Sequence, residues 1–334
     1  MLKLIKKIIK FCIPYGLFIL LKYSNTTTYF RSKNIFKKYY SKKNNQIQKH
    51  YIINYSKKII YMADGRTSVG GLTDRFAGIT SLYEISRDFG ADFKINFTNP
   101  FNLTDYLIPN KYEWTINDCD IIYNAKQSAI YEFSTNDYYR DTRNKIQKLL
   151  KCYNQLHITT NAWYAYAEYA DIFNLLFKPA PELKNLIDYN LSQIGNDFIS
   201  ATFRFQALLG DFYEGEYPVL PEQEKSELLN RCLAHLEEIH ADETGEKILV
   251  TSDSVTFLNA VKKYDFVYII PGVIAHIDYS SGLTKDFYIK SFVDYFLLTL
   301  SKKLYLIIDG QMYKSGFAYR ASLHRNSYII KKYK

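Results

Sequence analysis

From residue 59 onward, short apolar runs alternate with stretches whose apolar residues recur at helical spacing. Ile59-Ile60-Tyr61-Met62 reads as a buried strand, because a strand covered on both faces is apolar without interruption. The run from Asp64 to Ile79, DGRTSVGGLTDRFAGI, leads from it into Phe76, Ile79, Leu82, Tyr83 and Ile85, the spacing of a helix with one buried face. Strand, glycine-rich turn and helix make the first βα unit of a nucleotide-binding-type domain. The alternation then predicts strands at 93–97 and, weakly, 121–123, a short turn or helix at 104–107, a helix at 145–152, a strand at 155–159 and a helix over 163–177. Pro179 and Pro181 punctuate the chain, and Pro181 opens a helix through Leu191. Beyond it come strands at 198–205, 248–251, 266–270 and 304–308, with helices at 222–240, 255–263 and 285–300. Strands separated by helices give parallel sheets. The expected fold is therefore α/β, with two Rossmann-like domains at 57–180 and 181–334.

Charge changes the picture at the N-terminus. The net charge is +9, yet residues 1–58 hold 14 Lys or Arg and no acid, which leaves the remainder mildly acidic. A basic arm thus precedes an acidic body, and a basic globule built to coat nucleic acid is not expected. Within residues 1–22, Lys3, Lys6, Lys7 and Lys10 share one helical face, and Ile5, Ile8, Ile9 and Cys12 share another. The apolar stretch from Phe11 to Leu21 is shorter than the roughly 20 residues a bilayer needs. No small-residue cleavage site follows it, so a signal peptide is not supported. The expectation is an interfacial helix on the cytoplasmic face of the membrane, followed by a basic linker over 23–56; a flexible basic tail is the alternative. The cysteines Cys12, Cys119, Cys152 and Cys232 are scattered, as expected of reduced thiols rather than of a zinc site or a disulfide frame. The 32 Tyr and 22 Phe fit a compositional bias as readily as a function.

Candidate chemistry sits where strands end. Gly70 and Gly71 let the backbone turn and approach a ligand, and Thr73 or Asp74 can cap the helix that follows. The turn is not GxGxxG, so a dinucleotide fingerprint is absent; a plain tight turn is the structural alternative. Arg204, in Thr202-Phe203-Arg204-Phe205-Gln206-Ala207-Leu208-Leu209-Gly210-Asp211, ends a strand where doubly wound sheets place their ligand crevice. Its guanidinium can grip a diphosphate with paired hydrogen bonds, or it can pair with a helix acid. Asp211 can act there or cap a loop. Ser252 and Asp253, in Thr251-Ser252-Asp253-Ser254, either meet a ligand or cap the next helix, and His276 and Asp278 lie in a loop after Pro271-Gly272. Ser315 and Gly316, in Tyr313-Lys314-Ser315-Gly316-Phe317-Ala318, offer hydroxyl and amide donors after the last predicted strand. Asp118-Cys119-Asp120 has the D-x-D form of a metal-binding turn, but it precedes an apolar run where that motif should end a strand.

GGLTDRFAGI, continued by residues 91–107, resembles the N-terminal motif of bacterial fucosyltransferase-like glycosyltransferases from surface-polysaccharide gene clusters. These are distant relatives of the α-1,2, α-1,6 and protein O-fucosyltransferases, and the resemblance spans roughly residues 57–330. The stretch at 202–211 is similar to an expanded H-x-R-x-G-D motif, with Arg204 as its arginine and Gly210-Asp211 as its trailing pair; Thr202 stands where the family has histidine. Ser252-Asp253 is similar to the family's acidic turn, and Ser315 and Phe317 to its S-x-F motif. The three in this order are more specific than any one alone.

The resemblance implies a GT-B fold and GDP-fucose as donor, with inversion at the anomeric carbon and no metal cofactor. The acceptor would be a cell-surface glycan such as capsule, O-antigen or exopolysaccharide, made at the cytoplasmic face of the membrane. Gly70, Gly71, Arg75, Arg204, Ser252, Asp253, His276, Asp278, Ser315, Gly316 and Phe317 would meet the donor. Arg204 would take part in catalysis, and Asp211, Asp74 or Asp64 would be the general base. Three alternatives stand beside this reading. One is a non-catalytic sugar-nucleotide- or glycan-binding subunit, which the threonine at 202 favours. The second is a metal-dependent GT-A enzyme using Asp118 and Asp120. The third is nucleic-acid binding through the arm, which the acidic body disfavours.

Overall fold

The computed structural model describes residues 56–67, 69–124, 127–211, 217–243, 246–274 and 285–333. The expected interfacial helix at 1–22, nearly all of the linker at 23–56, and His276 and Asp278 lie outside the described residues. Among the described residues no helix is long and apolar enough to cross a membrane.

The N-terminal half is built on β1 (Lys58–Ala63), β2 (Asp92–Phe97), β4 (Ser128–Phe133) and β5 (Gln155–Thr160), all parallel in the order β2-β1-β5-β4. Ile59, Ile60, Tyr61 and Met62 are wholly buried, because helices cover one face of this sheet and the irregular segment around Ile121 and Tyr123 covers part of the other. Helix α1 (Leu72–Asp88) is buried along most of its surface, lying between the sheet and the second half of the molecule. It approaches β5 so closely that a Cβ on Gly78 would fall 2.1 Å from the Thr160 carbonyl oxygen. Only glycine permits that packing. Helix α2 (Tyr139–Cys152) joins β4 to β5, and α3 (Tyr169–Leu176) follows β5. Short antiparallel strands β3 (Leu107–Pro109) and β6 (Phe177–Pro179) pair beside them, and α4 (Pro181–Ile194) opens with Pro181 in its first turn.

The C-terminal half carries a second parallel sheet, β11-β10-β7-β8-β9, made of β7 (Phe198–Phe203), β8 (Lys247–Ser252), β9 (Val267–Tyr268), β10 (Leu304–Asp309) and β11 (Tyr328–Tyr333). Helix α5 (Glu222–Asp242) buries Leu228, Cys232, Leu236 and Ile239 against one face, together with α6 (Val255–Val261). Helix α7 (Lys285–Leu300) and α8 (Gly316–Ser322) belong to a larger core that continues into the N-terminal half. Phe292 of α7 stacks on Tyr106 at 4.3 Å between ring centroids, and the Tyr169 and Tyr295 hydroxyls hydrogen-bond at 2.8 Å. The two sheets are thus joined by an apolar seam behind a cleft.

Several predicted elements differ. Residues 121–123 form no strand: Ile121 and Tyr123 are apolar because they cover Ile60 and Met62, and the Ile122 amide donates to the Gln155 side chain. The third strand of this sheet is β4 instead. The helix expected from Trp163 begins only at Tyr169, because the Tyr164 and Ala165 amides both donate to the Ser81 hydroxyl. The strand at 266–270 shrinks to two residues. Asp118–Asp120 is a surface 3₁₀ turn that ends no strand, so it lacks the placement a GT-A metal turn requires.

Candidate active site

A cavity of about 400 Å³ opens between the two sheets, at the carboxyl ends of β1, β7, β8 and β10, where parallel sheets bind their ligands. Gly71 and Asp74 line it from the N-terminal half, and Arg204, Ser252, Asp253, Ser315, Gly316 and Phe317 from the C-terminal half.

Arg204 leaves the end of β7 and donates from Nη1 to Asp253 Oδ2 at 2.9 Å. Asp253 also accepts the Phe205 amide at 2.8 Å and the Gln206 amide at 2.7 Å. The Asp253 side chain is 4% exposed and that of Arg204 21% exposed. Burial pushes the Asp253 carboxyl up, and Arg204 with the two amides acts against that rise. Gln206 is held at φ +56°, a conformation that costs a non-glycine residue energy and recurs at functional sites. One carboxylate therefore fixes both the arginine and the backbone beyond it. Thr202 bonds Thr251 hydroxyl to hydroxyl at 2.8 Å and lines the cavity. Ser252 Oγ accepts the Ser254 amide.

Ser315 caps α8 by accepting the Ala318 amide at 3.2 Å. On the opposite wall Asp74 Oδ2 accepts the Gly71 amide at 3.2 Å, closing the first turn of α1. Gly70 adopts φ +86°, and a Cβ there would press on the Asp74 side chain, so glycine is required at the bend.

Gly70, a candidate donor contact, does not itself line the cavity, and neither do three other sequence candidates. Arg75 is buried, donating to the Gly70 carbonyl at 3.1 Å and the Asn99 carbonyl at 2.8 Å while lying over the Phe97 ring. It pins the glycine turn from behind, which corrects its assignment as a donor contact. Asp211 accepts the Ser254 hydroxyl at 2.8 Å and the Thr256 amide at 2.6 Å, so it caps α6 instead of facing the cleft. Asp64 is buried against Arg66 Nε at 2.8 Å.

The cavity also gathers residues that are not among the candidates named from the sequence: Tyr217, Lys290, Asp294, Tyr313 and Arg320. Lys290 and Asp294 form an i,i+4 ion pair at 2.7 Å on α7, and burial raises the Asp294 carboxyl against the pull of Lys290. Their signal was legible, since two opposite charges four apart interrupt the largely apolar stretch from Phe287 to Leu300. Arg320 meets Asp74 Oδ1 at 2.9 Å and Thr73 Oγ1 at 3.2 Å; nothing in its spacing announces a partner 246 residues away.

No family model and no curated protein matches the chain. Solved structures do. A mutant of FUT1 from Arabidopsis thaliana in complex with GDP is similar over 93% of this chain and 80% of its own, with a TM-score of 0.55 at 12% identity. The fucosyltransferase NodZ from Bradyrhizobium is similar over 80% of this chain and 92% of its own, with a TM-score of 0.52 at 12% identity. NodZ α-1,6-fucosyltransferase soaked with GDP-fucose gives a TM-score of 0.50 over the same shares, at 12% identity. With its two Rossmann-like sheets facing across a cleft, the chain has the GT-B fold of these fucosyltransferase structures.

Proposed function

We propose that the protein is a glycosyltransferase that moves fucose from GDP-fucose onto a cell-surface glycan, with inversion at the anomeric carbon. The observation that carries this reading is the Arg204–Asp253 pair at the mouth of β7, in a cleft of the fold whose solved examples hold GDP or were soaked with GDP-fucose. The acceptor oxygen forms its bond to the anomeric carbon as the bond from that carbon to the diphosphate breaks. The acceptor proton passes to a carboxylate, and the departing GDP carries the negative charge. Arg204, held rigid by Asp253, meets that charge without reorganising, which is where fixed electrostatics contribute most; in this reading it takes the part a divalent metal plays elsewhere. Of the three acids considered from the sequence, Asp74 alone lines the cavity, so it is assigned as the base. Ser252, Ser315, Gly316 and Phe317 complete the donor side. The basic arm holds the enzyme at the cytoplasmic membrane surface.

A second reading, a non-catalytic glycan- or sugar-nucleotide-binding subunit, draws on Thr202, whose hydroxyl is engaged by Thr251. Incubation with GDP-fucose in EDTA separates the two. Release of GDP, with the sugar product in the opposite anomeric configuration to the donor, supports the enzyme. GDP-fucose binding with no release at any acceptor or water concentration supports the subunit and contradicts the enzyme.

A further inference from the structure

Arg320 reaches from one half of the molecule into the other. It is carried by α8 in the C-terminal half, yet its guanidinium engages residues of the N-terminal half. Nη1 donates to Asp74 Oδ1 and Thr73 Oγ1, and Cζ lies 4.7 Å from the centre of the Trp163 ring. The neighbouring Tyr319 repeats the crossing, hydrogen-bonding hydroxyl to hydroxyl with Tyr166 and meeting the Trp163 ring edge-on at 5.9 Å.

The pair is asymmetric in a way that a plain interface salt bridge need not be. The Arg320 side chain is 10% exposed and that of Asp74 42% exposed, so a buried guanidinium stands behind a carboxylate that faces the cleft. Stacking on an aromatic face and a charged hydrogen bond hold a planar guanidinium in one orientation, which lysine does not reproduce. The other Asp74 oxygen holds the Gly71 amide. A chain of contacts therefore runs from α8 through Arg320 and Asp74 to the glycine turn. The same short helix begins with Gly316 and Phe317, on the donor wall.

We infer that Arg320 is a positioning residue: acting through Asp74, it sets the acceptor-side carboxylate and the glycine turn in register with the donor wall. This rests on the function proposed above. Its consequence is that Arg320 governs turnover more than donor affinity, since its Nη1 is engaged by Asp74 and Thr73 and its guanidinium lies over Trp163, all in the N-terminal half.

The test compares the wild type with Arg320→Gln, Arg320→Lys, Asp74→Asn and the Arg320→Gln/Asp74→Asn double variant. GDP affinity is measured by calorimetry, GDP release from GDP-fucose with water as acceptor, and hydrogen exchange of the Asp74 and Arg75 amides, which bond the Gly71 carbonyl. In Arg320→Gln, GDP affinity is expected within about threefold of wild type while GDP release falls about tenfold or more. Arg320→Lys, the variant least disturbed in folding, recovers part of that loss. The double variant is no slower than the slower single one, because both changes remove the same contact. Amide exchange at 74 and 75 rises in both single variants. Losses that multiply in the double variant would overturn the inference, as would GDP affinity that falls in step with turnover. Unchanged amide exchange in Arg320→Gln would also overturn it. If the wild type binds no GDP, the nucleotide reading fails by itself, and the exchange data alone decide whether Arg320 positions Asp74.

Discussion

Arg204 and Asp253 depend on each other. The arginine owes its direction to a nearly buried carboxylate, and that carboxylate owes its burial to the arginine and two amides. Replacing Arg204 by Ala is expected to weaken GDP binding by about a hundredfold, and by Lys about tenfold, because charge survives in lysine without the planar fork. Asp253→Asn keeps an acceptor for only one of the two amides, which bond different carboxylate oxygens, and removes the charge that holds the guanidinium, so it is expected to cost about tenfold in GDP affinity; calorimetry at fixed salt checks all three. An Asp253→Asn variant binding as tightly as wild type would show that the pair does not orient the arginine. At this scale the sequence announced the cavity lining unevenly. Arg204, Asp253 and Ser315 were legible because strand ends place residues in the crevice. Arg75 and Asp211 were misread, since a residue beside a turn serves either the ligand or the backbone, and spacing does not distinguish the two.

The elements set how much change the frame tolerates. Gly78 is the contact point of α1 on β5, so Gly78→Ala is expected to destabilise the fold by about 3 kcal/mol or more, seen as a lowered denaturation midpoint. Strand β5 also carries His157, fully buried, bonded to Gln155 and depressed to about 3 by desolvation, with Arg66 adding to the effect. The unfolded chain binds a proton at this position below about pH 6.5, and the folded one does not until about pH 3. Stability therefore falls on acidification through that window, and this one site contributes about 2 kcal/mol of loss between pH 6.5 and 5. A His157→Gln variant should lose less stability than wild type between pH 7 and 5 in urea titrations; an identical loss contradicts the assignment. Legibility here follows burial. Strands β1, β7, β8 and β10 show as largely apolar runs because most of their residues are buried, whereas β2 alternates and β5, equally buried, mixes Leu156 and Ile158 with Gln155, His157, Thr159 and Thr160. Strands β4 and β11 sit at sheet edges, and β11 opens on Tyr328-Ile329-Ile330 but runs into Lys331-Lys332 and exposes most of its residues, so its apolar run is too short to mark a strand.

At the scale of the molecule, the two sheets share one apolar seam through α7 and α8, and the cleft opens on its polar side. The two halves were readable from the alternation of strands and helices. Their joining was not, because contacts such as Tyr106 with Phe292 and Asp74 with Arg320 link residues far apart in the chain. Charge is divided as sharply as structure, with a basic arm ahead of an acidic body. Deleting residues 1–30 is expected to move the protein from the membrane pellet to the supernatant, at roughly 1 kcal/mol of membrane attraction per basic residue lost; an unchanged pelleting fraction rejects membrane attachment through the arm.

The central claim is that this cleft binds a guanosine-diphosphate sugar through Arg204. Calorimetry in EDTA with GDP, GDP-fucose, GDP-mannose, UDP-galactose and CMP-sialic acid, for wild type and Arg204→Ala, tests it most directly. Selective GDP-fucose binding that disappears in the variant is the predicted result. Binding of a UDP sugar only when Mn²⁺ is restored, or no binding of any donor, contradicts it.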